Sequence, residues 1–343
     1  MRQTVMKHRQ ALIYFSLILI SLLWIASCQF FQPQLKTETP LPTFRLGFNN
    51  WPGCAVWQIA SEQGIFEKNN LDIDLQFSDY TTGITTFANN QLDGNCQTLF
   101  DTIYMLGTNS SVDPVIVALT DWSTGGDQII AASNVQNIQQ LKGKKVAFEL
   151  GSVGHYLLLM GLEKYGLKLS DIQKSNNNLI RNLALFFEEE VDAIVTYMPF
   201  VKEALNRPGS QTLLTSQDFP GAISDHLVVN RQFLENNPQV VKGLVKTWFD
   251  TVEFMKKNPD LSRQIIAYTS GLTLQDLKDD ESKISIKGLS DNLTAFEPGD
   301  SFASLPYAAQ NIYDFLRTNK LIENSVDIQR ILDSSFLANA QNR

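Results

Sequence analysis

Acidic side chains at predicted loops are the residues with the clearest capacity for chemistry in this sequence. They stand where loops follow predicted strands or join two halves of the chain: Asp101, Asp121, Asp127, Glu149 and Asp225. Arg and Lys are absent from these positions. Because ionised carboxylates only accept hydrogen bonds, a site built from these loops would favour a ligand that donates them.

Aromatic residues occupy comparable predicted loop positions: Trp51, Trp57, Tyr80, Trp122 and Tyr197. Carboxylates supply charge-assisted acceptors, and the face of an aromatic ring attracts a cation. The combination indicates a site for a small planar or compact cation. Our candidate ligand-binding residues are Trp51, Tyr80, Asp101, Trp122, Glu149 and Asp225.

Each acidic candidate also has a purely structural interpretation. Asp101 is placed to cap a helix, and Glu149 precedes a helix N-terminus whose dipole it would stabilise. Asp121 and Asp127 are more typical of hydrogen bonding within a hinge. Asp225 has a histidine beside it as a structural partner. Trp57, by its helical spacing, is expected in the core.

The remaining nucleophiles and metal-ligand types do not form a recognised catalytic pattern. His155 and His226 are the only histidines beyond the first 27 residues. Cys54 and Cys96 lack metal-site spacing, and we expect buried free thiols, with a disulfide as the alternative in an oxidising compartment. We therefore predict a protein that is not an enzyme and has no catalytic residue, metal or cofactor.

Short apolar runs alternate with helical patterns from residue 44 onward. Predicted strands cover 44–48, 71–77, 94–98, 115–119, 128–132, 144–149, 191–197 and 222–229. Predicted helices cover 52–66, 84–90 and 151–165, and the chain is almost wholly helical from residue 238. This order predicts an α/β fold with mostly parallel sheets flanked by helices.

The chain is predicted to cross twice between two α/β lobes, near 122–127 and 222–229. Lobe 1 would comprise residues 43–122 and 226–343, including a helical C-terminal extension, and lobe 2 residues 123–225. A cleft between lobes is a common place for a small ligand, and a double crossing makes a hinge.

The N-terminus has the pattern of an export signal. A basic start precedes an uncharged run at 11–25, shorter than the roughly 20 residues of a membrane span. The sequence at 25–28 then resembles a bacterial lipobox. We predict a signal peptide at 1–27, a lipid on Cys28 and a flexible tether at 28–42. An uncut anchor helix is the alternative.

The charge of the chain argues against polyanionic partners. The net charge is −8, and removal of residues 1–27, which hold three basic and no acidic residues, leaves −11. A body of this charge is not expected to bind nucleic acid or to use a basic face on anionic lipid.

Several segments resemble the substrate-binding proteins of ABC importers of the nitrate/sulfonate/taurine (NMT1/THI5-like) type: Gly47–Gly53, Trp57–Ala60, Gly64–Phe66, Leu71–Asp74, Gly143–Ala147 and Val191–Ala193. The resemblance spans roughly residues 43–330. It implies a two-lobe periplasmic binding protein fold of type II that delivers a small molecule to an ABC permease and its ATPase. The implied location is the periplasmic face of the cytoplasmic membrane, with attachment through lipid on Cys28.

Segments around the acidic candidates resemble a narrower branch that is associated with urea carboxylase and guanidine import: Asp101–Thr102, Glu149–His155 and Ile223–Asp225. Guanidinium is planar, with six N–H donors and no acceptor, so carboxylates would suit it. Gly154 departs from that branch, where an acid is expected.

Other ligands and other classes of protein remain alternatives. Within the same class, the ligand would be nitrate, taurine or another alkylsulfonate, or a thiamine-precursor pyrimidine. In other classes, the chain would be an exported enzyme acting on a small amide or pyrimidine, or a lipoprotein that feeds a sensor. The Cys-rich motif of the fungal thiamine-pyrimidine synthases, which share the implied fold, is absent.

Overall fold

The computed structural model describes residues 41–108 and 111–341. The predicted signal peptide, the lipidation site Cys28 and most of the tether lie outside the described residues. None of the helices within 41–108 and 111–341 has the length and apolarity that a membrane span requires.

Strands and helices alternate through the first two thirds of the described chain. The strands are β1 (Phe44–Phe48), β2 (Ile73–Phe77), β3 (Gly94–Thr98), β4 (Pro114–Ser123), β5 (Asp127–Ala131), β6 (Lys145–Phe148), β7 (Gln173–Asn176), β8 (Ala193–Tyr197), β9 (Gln211–Thr215), β10 (Ser224–Asn230) and β11 (Ile284–Ile286). The helices are α1 (Val56–Glu62), α2 (Ile65–Lys68), α3 (Tyr80–Ala88), α4 (Leu99–Thr108), α5 (Val153–Lys164), α6 (Leu179–Phe187), α7 (Phe200–Leu205), α8 (Arg231–Asn236), α9 (Pro238–Lys257), α10 (Pro259–Ser270), α11 (Leu274–Asp280), α12 (Leu289–Ala295), α13 (Leu305–Thr318) and α14 (Ser335–Gln341).

The strands form two separate sheets. One has the order β11-β4-β10-β3-β1-β2 and the other β7-β6-β8-β5-β9. We call the first sheet with its helices lobe 1 and the second lobe 2. The chain passes from lobe 1 to lobe 2 between β4 and β5, and returns between β9 and β10.

The prediction of mostly parallel sheets is wrong for the strand pairing, which is mixed. β1 pairs in parallel with β2 and β3, but β10 lies antiparallel between β3 and β4. In lobe 2, β5 lies antiparallel between β8 and β9. A strand that enters a lobe from the hinge begins at the edge where the parallel strands end, so it must run in the opposite direction.

Two differences from the predicted elements have local causes. The predicted helix 52–66 is two helices, α1 and α2, because Gly64 has a φ of 63° between them, which ends a right-handed helix. The C-terminal region is not wholly helical, since β11 pairs with the hinge end of β4. There the Thr124 N–H donates to the Lys283 carbonyl oxygen at 2.8 Å.

The core of lobe 1 holds the tryptophans that helical spacing predicted to be buried. Trp57 and Trp248 are fully buried, with ring centroids 5.1 Å apart. The indole N–H of Trp248 donates to the Lys287 carbonyl oxygen at 2.9 Å, which satisfies its polar atom.

Candidate functional site

A small chamber of about 20 Å³ lies between the two lobes. Lobe 1 contributes Trp51, Tyr80, Thr98 and Asp225, and lobe 2 contributes Asp127, Val153 and Tyr197. The lining therefore contains two carboxylates and three aromatic rings, and no Lys or Arg. Since contacts come from both lobes, a ligand held here would favour their closed arrangement.

Asp225 is the most strongly desolvated carboxylate of the chamber. It lies on β10 opposite Asp121 of β4, is 3% exposed, and its Oδ1 atom has no hydrogen-bond partner among the described residues. Burial, together with the nearby carboxylates of Asp121, Asp127 and Asp101, raises the pKa of Asp225 well above its usual range. Because a buried, unpartnered carboxylate is costly, this position favours a cationic hydrogen-bond donor.

Two further aspartates lie at the first crossing between lobes. Asp121 Oδ1 accepts a hydrogen bond from Trp51 Nε1 at 2.9 Å, and burial raises the pKa of Asp121 to about 7. A side chain at Gly53 would place its Cβ 2.1 Å from Asp121 Oδ2, so this contact requires glycine. Burial raises the pKa of Asp127 to about 6. Several carboxylates therefore share one poorly solvated region.

Three aromatic rings surround the chamber. The ring centroid of Tyr197 is 6.5 Å from that of Trp51 and 6.0 Å from that of Tyr80, at interplanar angles of 67° and 57°. The rings come from both lobes and are tilted rather than stacked. This arrangement presents ring faces and edges around a small volume, as in sites that hold organic cations.

Asp101 lies behind the chamber wall rather than in the lining. Its Oδ2 atom accepts hydrogen bonds from the Tyr80 hydroxyl at 2.5 Å and from Thr98 Oγ1 at 2.6 Å. Its own N–H donates to Thr98 Oγ1 at 3.0 Å in the first turn of α4. Burial raises the pKa of Asp101 to about 6. Asp101 thus orients two lining side chains.

Cys54 and Cys96 form a disulfide, so the expectation of free thiols is wrong. Their Cα atoms are 5.8 Å apart because the loop after β1 lies beside β3, the parallel neighbour of β1. Both sulfurs and a carboxylate oxygen of Asp225 lie within 4.8 Å of one another. The bridge therefore fixes the loop of Trp51 close to the carboxylate of the chamber.

A larger cleft of about 370 Å³ adjoins the chamber and shares Tyr80, Asp127, Val153 and Tyr197 with it. Glu149 of lobe 2 lines this cleft and accepts a hydrogen bond from Thr81 Oγ1 of lobe 1, at 3.2 Å to one carboxylate oxygen. Burial raises the pKa of Glu149. Glu149 therefore stands at the cleft rather than in the chamber.

Trp122, like Asp101, is a predicted site residue that lines neither cavity. It follows Asp121 on β4, and successive side chains of a strand point to opposite faces. Its ring instead contacts Lys287, whose Nζ atom is 3.7 Å from the ring centroid. Of the other predicted residues, Trp51, Tyr80 and Asp225 line the chamber.

Sequence reasoning did not select four residues that the structure places in the chamber: Thr98, Asp127, Val153 and Tyr197. Two of them, Asp127 and Tyr197, were among the acidic and aromatic residues noted at predicted loops. They are directly opposite each other in the antiparallel pair of β5 and β8. Asp127 begins its strand and Tyr197 ends its strand, so both lie at the edge facing lobe 1. Their loop positions were visible in the sequence, but their pairing was not.

Neither His155 nor His226, the histidines of the described residues, is poised for acid–base chemistry near neutral pH. His226 is fully buried on β10, and burial lowers its pKa to about 3. It forms no pair with Asp225, since adjacent strand residues face opposite sides. His155 stacks on Phe148 with ring centroids 4.9 Å apart, and burial lowers its pKa to about 4.

Known families and proteins match most of the part of the chain that contains the candidate site. The family model described as NMT1/THI5 like matches residues 51–262. A protein of Brucella abortus (strain 2308), provisionally named a binding protein, is 28% identical over 248 residues, which cover 69% of this chain and 74% of that protein.

Solved structures extend the similarity to the whole fold. The periplasmic aliphatic sulphonate binding protein of Escherichia coli is similar with a TM-score of 0.69 and 22% identity, covering 85% of this chain and 92% of that one. The desulfurization enzyme DszB is similar with a TM-score of 0.66 and 14% identity, covering 88% of this chain and 99% of that one. The predicted two-lobe fold of the type II periplasmic binding proteins is therefore confirmed, while the fold alone does not separate binding proteins from enzymes.

Proposed function

The chain belongs to the NMT1/THI5-like family, and we propose that it is the substrate-binding protein of an ABC importer for a small nitrogen-rich cation, with guanidinium as the best candidate. The observation that carries this proposal is the charge of the chamber. Asp127 and Asp225 are buried in its lining, and no Lys or Arg lines it.

Guanidinium matches the lining of the chamber in charge and in hydrogen bonding. Its edges carry paired N–H donors, which carboxylates such as Asp225 and Asp127 accept in fork geometry. Its faces suit the rings of Trp51, Tyr80 and Tyr197. Because Asp225 belongs to lobe 1 and Asp127 to lobe 2, the ligand would join the lobes into the form that the permease recognises.

The second candidate function is import of an alkylsulfonate or nitrate, which the sulphonate-binding relative favours. A buried anion would need donors, and the chamber offers two carboxylates instead. An exported enzyme is the third candidate, since DszB shares the fold. Within the described lining of the chamber, Thr98 Oγ1 and the Tyr80 hydroxyl both donate to the same oxygen of Asp101, so this carboxylate holds two side chains in place, which favours binding over catalysis.

Calorimetric titration of the purified protein with guanidinium, urea, taurine and nitrate tests the proposal. We expect guanidinium to bind and to be recovered unchanged, because only a cation compensates the buried carboxylates. Neutral urea should bind far more weakly, and the two anions should give no heat of binding. Binding of taurine or nitrate without binding of guanidinium would refute a cation carrier, and chemical conversion of the ligand would revive the enzyme.

The affinity for guanidinium is expected to fall by at least about tenfold between pH 8 and pH 5. Asp127, with a pKa of about 6, takes up a proton in this range, and the raised pKa of Asp225 acts in the same direction. A cation binds the ionised carboxylates, so each protonated group must release its proton first, at a cost of up to tenfold per pH unit below its pKa. An anion carrier would show the opposite trend. Titrations in two buffers of different ionisation enthalpy count the protons released.

We also propose that the mature protein is tethered by lipid on Cys28 at the periplasmic face of the cytoplasmic membrane, with an ABC permease and its ATPase as partners. The lipobox-like sequence at 25–28 supports the anchor. The Cys54–Cys96 disulfide supports an oxidising compartment, where such bonds persist. A membrane-associated wild-type chain whose N-terminal peptide carries no lipid on Cys28 by mass spectrometry would contradict the lipid anchor.

A further inference from the structure

The chamber occupies only a small part of the space between the lobes. It measures about 20 Å³, whereas the adjoining cleft, which we call the outer cleft, measures about 370 Å³. A single water needs roughly 10–15 Å³ on this scale, so the chamber is about the size of one water, and a guanidinium head must extend from it toward the outer cleft. Guanidinium alone would still leave most of the outer cleft to water.

The outer cleft is present although the lobes already touch. Thr81 of lobe 1 donates to Glu149 of lobe 2 at 3.2 Å, and Tyr80 and Tyr197 meet across the lobes with centroids 6.0 Å apart. The cleft is thus not simply the gap of fully separated lobes. It shares four lining residues with the chamber, so a ligand held in one can extend into the other.

One wall of the outer cleft is apolar. Its lining includes Leu179 and Ile180 at the start of α6, Val195 on β8 and Phe200 at the start of α7. Ile180 is 65% exposed, which is unusual for a large apolar side chain in lobe 2. A hydrocarbon chain against this wall would remove both surfaces from water.

The outer cleft also has acidic and polar lining residues. Asp79 and Glu149 line it, no Lys or Arg does, and neither carboxylate takes part in an ion pair among the described residues. Thr196 also lines it, is 3% exposed, and its hydroxyl has no hydrogen-bond partner in the described chain. The lining therefore has unused acceptors for a second donor group.

We propose that the preferred ligand is a monosubstituted guanidinium with a short hydrocarbon chain and a terminal ammonium. The guanidinium head would lie in the chamber, the chain along the wall of Leu179 and Phe200, and the ammonium at Asp79 and Glu149. This inference rests on the proposed function, because it places the same cationic head at Asp225 and Asp127.

Calorimetry on the full chain with guanidinium, butylguanidinium and 4-aminobutylguanidinium tests each part of the ligand. One fully buried methylene adds about fourfold to affinity, so partial burial of four should make butylguanidinium at least about tenfold tighter than guanidinium. The terminal ammonium should add up to roughly another fivefold at low salt, the upper end of the range of a solvent-accessible ion pair.

Glu149→Gln and Thr81→Val separate the charge of the outer cleft from the contact between lobes. Glu149→Gln should bring the affinity for 4-aminobutylguanidinium close to that for butylguanidinium. Thr81→Val removes the interlobe hydrogen bond to Glu149 without changing charge, so it should shift the affinities for all three ligands by the same factor. If Glu149→Gln leaves the ratio of the affinities for 4-aminobutylguanidinium and butylguanidinium unchanged, the assignment of the ammonium to Glu149 is overturned.

The outcomes distinguish this inference from the proposed function. If guanidinium binds as tightly as, or more tightly than, both substituted forms, the longer ligand is wrong and the cation carrier stands. If none of the three cations binds while taurine or nitrate does, the proposed function fails and this inference fails with it. Tighter binding of both substituted cations supports the inference.

Discussion

Replacing Asp225 with asparagine is expected to weaken guanidinium binding by roughly 30-fold or more, because removing one partner of a buried charge pair costs about 2–5 kcal/mol. Asparagine has nearly the same shape, so the chamber should keep its form. Asp225 Oδ1 has no partner within the described protein, so its negative charge is available to a ligand. Calorimetric titration of wild type and variant measures the change.

The unliganded Asp225→Asn protein should be at least as stable as wild type. Burial and three neighbouring carboxylates raise the pKa of Asp225, which means that its charged form is disfavoured in the fold. A neutral side chain relieves that repulsion, as expected where a binding site is kept at the expense of stability. Thermal unfolding without ligand therefore separates a lost ligand contact from a damaged fold.

Asp93→Asn is the matched control. Asp93 is also a buried aspartate of lobe 1, 8% exposed, but it pairs with Arg45 at 2.8 Å and lines neither cavity. This variant changes the net charge by the same amount and should leave the guanidinium affinity within about twofold, although it loses stability. Equal affinity losses in the two variants would mean that net charge alone attracts the ligand. Wild-type affinity in Asp225→Asn would remove Asp225 from the site.

Replacing Cys54 and Cys96 together with alanine is expected to lower the free energy of unfolding by about 2–4 kcal/mol. The bridge links residues 42 apart in sequence and restricts the unfolded chain, which raises the relative free energy of the unfolded state. Urea denaturation of the double variant and the oxidised wild type measures the difference. Guanidinium affinity should fall as well, since the bridge holds the loop of Trp51 beside Asp225.

The same bridge should resist reduction in the folded protein. Both cysteines are fully buried, so a soluble reductant reaches the sulfurs only after local or global unfolding. We expect thiol titration to detect no free thiol from Cys54 or Cys96 in the native, non-reduced protein, and two after denaturation with reductant. Free thiols at these positions in the native protein, or a double variant as stable as wild type, would contradict a structural disulfide.

Local patterns predicted most of the strands and helices correctly. β1 and β3 begin and end where alternation and turn residues placed them, and α5 begins just after Ser152, whose hydroxyl accepts a hydrogen bond from the His155 N–H. These features depend on residues close in sequence, so they are visible in a sequence alone. The mixed pairing of the sheets was not, because it depends on which strand enters a lobe from the hinge.

The charge of the candidate site could be predicted from the residue types at the loops, but the set of residues that line it could not. The sequence alone placed acids and aromatic residues at the hinge and strand ends, because those residue types and loop positions are local properties. Only the tertiary structure placed Asp127 and Tyr197 in the chamber, Asp101 behind it and Trp122 on the opposite face of β4. The set of lining residues depends on strand pairing and on the alternation of successive side chains between the two faces of a strand. It also depends on long-range contacts such as that between Cys54 and Cys96.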